Sequence, residues 1–199
     1  MSSGSFDRIA FCYDFLERYI LKDYQGSMDL IHKHLTIHKN DYVLDIGGGT
    51  GFFSRQINEN ILKSVVIDPS EKMLKKITIP TISKIQGEGG FLCFHDNTFD
   101  LAVLIDVLHH IPYNKQQKVL NETMRILKEK GRIFVIEVFF PKTLINRLFC
   151  MMENLAVGHT YHLSAQHLQL NLKKAGFTKI SMTYPKDHNW KYVALGTKK

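Results

Sequence analysis

Val43-Leu44-Asp45-Ile46-Gly47-Gly48-Gly49-Thr50-Gly51 is followed directly by Phe52-Phe53-Ser54-Arg55-Gln56-Ile57. An apolar run ends in a glycine cluster, and the segment after it reads as a helix. Strand, glycine turn and helix in succession bring backbone close to a nucleotide-like ligand. Glycine accepts φ > 0 and lacks the Cβ that would hold the ligand away. The N–H groups that open the helix favour an anionic ligand group. The spacing is not that of a dinucleotide turn, however. G-x-G-x-x-G begun at Gly47 requires glycine where Phe52 stands, and begun at Gly48 it requires glycines where Thr50 and Phe53 stand. Asp45, two residues upstream, would repel a pyrophosphate but suits a ligand with an ammonium or sulfonium charge.

S-adenosylmethionine carries both charges, plus a carboxylate for the helix N-terminus. The next segment agrees with it. Val65-Val66-Ile67 is a short β-branched run closed by Asp68, a carboxylate placed to accept both hydroxyls of a ribose. Pro69-Ser70-Glu71-Lys72-Met73-Leu74 then opens a helix, with Pro69 suited to its first turn and Met73 able to pack on a purine face.

V-L-D-I-G-G-G-T-G, V-V-I-D-P-S-E-K-M-L and F-D-L-A-V-L-I-D-V-L-H-H-I resemble the successive motifs of class I S-adenosylmethionine-dependent methyltransferases, from about Tyr42 to the C-terminus. Phe6 to Asp14, F-D-R-I-A-F-C-Y-D, is similar over a shorter stretch to the lead-in helix of the quinone C-methyltransferase branch. The resemblance implies an α/β fold: a Rossmann-like, doubly wound, seven-stranded, mostly parallel sheet with an antiparallel last strand, helices on both faces and an N-terminal helical cap. It implies S-adenosyl-L-methionine as cofactor, held by Asp45, Gly47, Gly48, Gly49, Asp68, Pro69 and Met73. Glu88 and Gly89, in Gly87-Glu88-Gly89-Gly90, stand where the family grips the adenine, although glutamate and glycine replace the usual shorter acid and small residue. Backbone at Ile105 or Asp106 falls near the methionine portion, and Tyr13 matches a tyrosine that closes over its carboxylate.

Composition narrows the class. The chain has 199 residues, 44% hydrophobic and 23% charged, as in a single soluble domain. No apolar run reaches the ~20 residues that span a bilayer, and the N-terminal Met-Ser-Ser-Gly-Ser lacks the regions of a secretory signal. Cys12, Cys93 and Cys150 make neither a disulfide framework nor a metal motif, so a cytoplasmic setting is expected. His32 and His34 have no third ligand at metal spacing, and no metal is expected. The net charge of +7 is scattered, without a basic stretch interleaved with aromatics. A solvated basic surface is therefore expected rather than a nucleic-acid site, with an anionic partner, such as an acidic lipid surface met peripherally or an RNA, as the alternative.

Organisation follows from periodicity. Residues 1–36 read as a helical cap, with helices over Phe6–Ile20 and Ser27–Leu35, the second capped by Ser27. Residues 41–138 read as the cofactor-binding core, with strands near 42–46, 64–67, 83–86, 100–105 and 132–138 and helices near 51–59, 70–76 and 114–129. Residues 139–162 are too apolar for a plain connection and read as a lid or substrate insertion, or as packing on the cap. Residues 163–199 hold the last helix, 165–175, and a final strand pair.

Candidate catalytic residues are His110, beyond the fourth strand, and His159 and Tyr161 beside His162, where the lid rejoins the last helix. His109 and His110 equally suit a turn-capping or packing role. The acceptor implied is a small, partly apolar molecule, methylated at oxygen, nitrogen or carbon. Two other functions fit the same cofactor motifs: a binding protein for S-adenosylmethionine or S-adenosylhomocysteine without turnover, and a nicotinamide-dependent oxidoreductase, against which the glycine spacing and Asp45 count.

Overall fold

A computed structural model describes residues 26–138, 158, 160–186 and 191–199. Tyr13, His159, the helix expected over Phe6–Ile20 and nearly all of the lid segment lie outside the described residues. Seven strands form one sheet in the order β3-β2-β1-β4-β5-β7-β6. They are β1 (Tyr42–Ile46), β2 (Lys63–Asp68), β3 (Ile82–Gln86), β4 (Phe99–Ile105), β5 (Leu127–Val138), β6 (Thr178–Thr183) and β7 (Lys191–Thr197). β1 to β5 are mutually parallel, while β7 lies antiparallel between β5 and β6. This is the doubly wound, mostly parallel sheet with an antiparallel last strand that the motifs imply.

Alternation along the strands explains the two layers of helix. Val43, Leu101, Val103, Phe134 and Ile136 face one way, against Met28 and Ile31 of α1 (26–34) and Phe53 and Ile57 of α2 (Phe52–Ile57). Their neighbours Leu44, Ala102, Leu104, Ile133 and Val135 face the other way. There they meet Val119 and Leu120 of α4 (Tyr113–Ile126) and Leu168 and Leu172 of α5 (Ala165–Ala175). The short α3 (Glu71–Lys75) is capped by Ser70 Oγ, which accepts from the Met73 N–H at 3.2 Å. Gly176 ends α5 at φ 101°, a left-handed conformation that glycine adopts without strain.

Four local expectations change. Pro69 precedes the Ser70 cap of α3 rather than entering its first turn. Ser27 lies within α1 rather than capping it, and its buried hydroxyl meets Lys191 instead. The helix expected over 51–59 is α-helical only to Ile57 and finishes as a 3₁₀ turn over Asn58–Asn60. The helix expected to 129 stops at Ile126, because β5 begins at Leu127 and turns through Lys130, at φ 61°, and Gly131. The polar run Lys128-Glu129-Lys130 continues a helical pattern, but sheet pairing of Leu127 with Phe99 overrides it.

Candidate active site

The strand order reverses between β1 and β4, and the crevice beyond their carboxyl ends is where such sheets bind ligands. Gly47, Gly49 and Gly51 take φ of 71°, 52° and 71°. The glycines do different work. A Cβ on Gly47 would stand 2.7 Å from Val107 Cγ2, and one on Gly48 would stand 2.5 Å from the Asp45 carboxyl, so both permit close packing within the protein. At Gly49 an added Cβ would meet only Asp68 Oδ2, at 3.9 Å. Open space over a left-handed glycine is what a ligand approaching the backbone requires.

Asp45 is 2% exposed beneath this turn, and the Ser54 hydroxyl of α2 donates to its Oδ2 at 2.9 Å. Burial pushes its pKa up to about 7; the Ser54 hydrogen bond opposes the rise and the neighbouring Asp68 charge adds to it. A cation bound nearby relieves that penalty. Asp68, at the end of β2, accepts the Gly49 N–H on Oδ2 at 3.0 Å and the Ser70 N–H on Oδ1 at 2.8 Å. These bonds join the glycine turn to the start of α3 and fix the carboxylate's orientation. A carboxylate closing the second strand of such a sheet suits a vicinal diol.

Pro69 is half-buried, and its carbonyl accepts from Gln86 Nε2 at 3.1 Å. Met73 is buried in the protein. Gly89 lies against β1, where its Cβ would be 2.9 Å from Ile46 Cγ2, and exposed Glu88 begins a turn whose carbonyl accepts the Phe91 N–H. Ile105 ends β4, half-buried. The glycine turn, Asp68, the loop after β3 and the end of β4 therefore gather along one edge of the sheet.

The histidines beyond β4 are organised by a residue the sequence reading missed. Glu137, 1% exposed near the end of β5, accepts the Val107 and Leu108 N–H groups on Oε1 at 3.0 and 2.5 Å. Its Oε2 lies 2.7 Å from His109 Nδ1. His109 is buried, its ring 4.1 Å from that of His110 and stacked 5.6 Å from that of His162. Its carbonyl accepts the Tyr161 N–H at 2.6 Å. Gln116 Nε2 adds bonds to the carbonyls of Leu108, Ile111 and Tyr161. Tyr161 is half-buried and packs edge-on against Tyr113, whose hydroxyl donates to the His162 carbonyl. The loop after β4 thus carries His109 and His110, and the segment of Tyr161 and His162 packs against it through His109.

Lys191 and Asp106 were also missed in these roles. Lys191 Nζ, 1% exposed at the start of β7, lies 2.6 Å from Asp106 Oδ2 and donates to Ser27 Oγ at 2.7 Å. The available signal was a lone charge at the edge of an apolar strand, Glu137 in Ile133–Phe140 and Lys191 before Tyr192–Leu195.

A parallel sheet with an inserted antiparallel strand, a glycine turn after β1 and a carboxylate closing β2 define a nucleoside-binding methyltransferase fold. The family described as a methyltransferase domain matches residues 44–135. The chain is 32% identical to the ubiquinone/menaquinone biosynthesis C-methyltransferase of Salmonella arizonae, over 72% of this chain and 69% of that one. It is 30% identical to the demethylmenaquinone methyltransferase of Thermotoga maritima, over 69% of this chain and 62% of that one. A solved SAM-dependent methyltransferase of Thermotoga maritima has the same fold, with a TM-score of 0.77 at 20% identity over 98% of this chain and 100% of that one. The chain belongs to the class I S-adenosylmethionine-dependent methyltransferases. It spans about half to two thirds of the length of most of the curated relatives it matches.

Proposed function

We propose that the chain transfers the methyl group of S-adenosyl-L-methionine to a small, partly apolar acceptor, and that it acts in the cytoplasm. The observation that carries the reading is the pairing of Asp45 and Asp68 around the open face of Gly49. One acid suits a cationic cofactor, the other a ribose diol, and the turn between them leaves space for the ligand. The residues present fit the group. Asp68 would hold the ribose, Gly49 would meet the ligand through its backbone, and Asp45 would balance positive charge from below. Glu88 and Gly89 would border the adenine, and Ile105 the methionine end.

When bound, S-adenosylmethionine supplies an activated methyl on a sulfonium that leaves as a neutral thioether. The chain's own task is alignment and exclusion of water, which can be worth roughly 7–11 kcal/mol. Glu137 contributes by fixing the loop after β4 through two N–H groups and one histidine, so that this wall of the crevice is rigid. His110 and Tyr161 stand at the candidate acceptor side. The similarity to quinone-pathway C-methyltransferases favours a phenolic or quinol acceptor over a protein tail or RNA.

Calorimetric titration with S-adenosylmethionine, S-adenosylhomocysteine and NADH tests the reading. Micromolar binding of the first two and none of the third is expected; binding of NADH alone would overturn it. Release of S-adenosylhomocysteine with phenols or quinols would then separate a methyltransferase from a binding protein without turnover.

A further inference from the structure

Asp106 is the first residue beyond β4, and it holds a left-handed backbone with φ 55°. A residue other than glycine pays about 1–2 kcal/mol for that conformation, although aspartate and asparagine bear it better than most. Its N–H still donates to the Ile136 carbonyl at 2.9 Å. The next residue, Val107, packs where a Cβ on Gly47 would stand. Asp106 is thus at the switch point of the sheet, next to the glycine turn.

Its two carboxylate oxygens are treated differently. Oδ2 is paired with Lys191 Nζ, a lysine closed from solvent and bonded also to Ser27 in α1. Oδ1 is shielded from solvent and has no hydrogen-bond partner among the described residues. The side chain as a whole retains 20% exposure, while Oδ1 itself faces the protein interior beside the switch point. Leaving such an oxygen without a donor costs about 1–3 kcal/mol, and more where charge is involved. A ligand that brings a donor recovers that cost, whereas an anionic ligand adds repulsion.

We propose that Asp106 Oδ1 receives a proton-bearing hydroxyl or amine of the methyl acceptor, with Lys191 as the positioning residue that fixes the carboxylate for it. The proposal rests on the methyl-transfer reading above and narrows it. Phenols, quinols and amines are admitted, and carboxylic acids and fully alkylated ethers are disfavoured. Asp106 orients the acceptor, bringing its nucleophilic atom to the cofactor side of the crevice.

Asp106→Asn is the test variant. Asparagine tolerates the left-handed backbone, and its amide oxygen still accepts from Lys191, but it presents an NH₂ group where Oδ1 stands. S-adenosylhomocysteine is titrated first into both proteins by calorimetry. Affinities within threefold of each other are expected. A tenfold loss in the variant would assign Oδ1 to the cofactor's ammonium group and overturn the proposal. Absence of binding to the unmodified protein would remove the methyl-transfer reading itself, and the proposal with it.

The proteins saturated with S-adenosylhomocysteine are then titrated with hydroquinone, benzylamine, 1,4-dimethoxybenzene and benzoate. Hydroquinone or benzylamine should bind the unmodified protein at least tenfold tighter than the ether and the acid, and Asp106→Asn should abolish that preference. Equal binding of the ether, a preference for benzoate, no binding by any probe, or a preference that survives in the variant would each overturn the proposal while leaving cofactor binding intact.

Discussion

Asp45 carries an unusual burden for a carboxyl group in a resting protein. Its folded-state pKa is raised from 3.8 to about 7, so the unfolded chain gives up this proton first as pH rises. The folded protein loses stability across that interval and none further above it. Asp45→Asn should therefore stabilise the ligand-free protein above pH 7, by on the order of 2–4 kcal/mol, and change little near pH 4. Urea denaturation at the two pH values measures this. Cofactor binding should show the opposite preference, since a cationic ligand favours the ionised acid. Affinity for S-adenosylmethionine should rise between pH 6 and pH 8 by at most about tenfold per unit, and Asp45→Asn should flatten the profile. Asp68 is the other anchor. Asp68→Ala removes the acceptor for the Gly49 and Ser70 N–H groups as well as for a ribose, and should weaken S-adenosylhomocysteine binding more than tenfold by calorimetry. Unchanged affinity would dismiss the ribose assignment.

Elements matter most where β5 meets the loop after β4. Glu137 holds two backbone N–H groups of that loop and the ring of His109, the Leu108 and His109 bonds buried and the Val107 bond part-buried. Glu137→Ala would leave these donors buried without an acceptor. A loss of about 2–5 kcal/mol in urea denaturation is expected. His110→Ala, by contrast, should leave affinity for S-adenosylhomocysteine nearly intact; a binding defect would move His110 into the cofactor pocket. At this scale the sequence was legible where physics is local. The glycine turn, the acid closing β2 and the apolar runs of β1, β2 and β4 each declare themselves within a few residues. Glu137 and Lys191 do not, because their partners stand 29 and 85 residues away in the chain and only the folded sheet joins them. The limit of α4 failed for a related reason. Lys128-Glu129-Lys130 is compatible with helix or strand, and pairing with a distant strand decided the matter.

For the molecule as a whole, strand order gathers the candidate cofactor residues at one end of the sheet. Binding there should be read by the entire fold. S-adenosylhomocysteine at about 100 times its Kd should add about 2.7 kcal/mol to stability. That corresponds to a rise in Tm of roughly 5–10 °C for a domain of this size. NADH at the same concentration should produce no shift. The absence of a shift with S-adenosylhomocysteine would mean that the crevice is not the nucleoside site.

β7 lies between β5 and β6 in space but follows both in the chain. During synthesis β6 therefore leaves the ribosome with no strand to pair with, and the far edge of the sheet must wait for residues 191–197. The same strand delivers Lys191 to Asp106 only on its arrival. A nascent chain can assemble β1 to β5 and the glycine turn before Lys191 reaches Asp106, so the candidate cofactor crevice should mature before that ion pair closes.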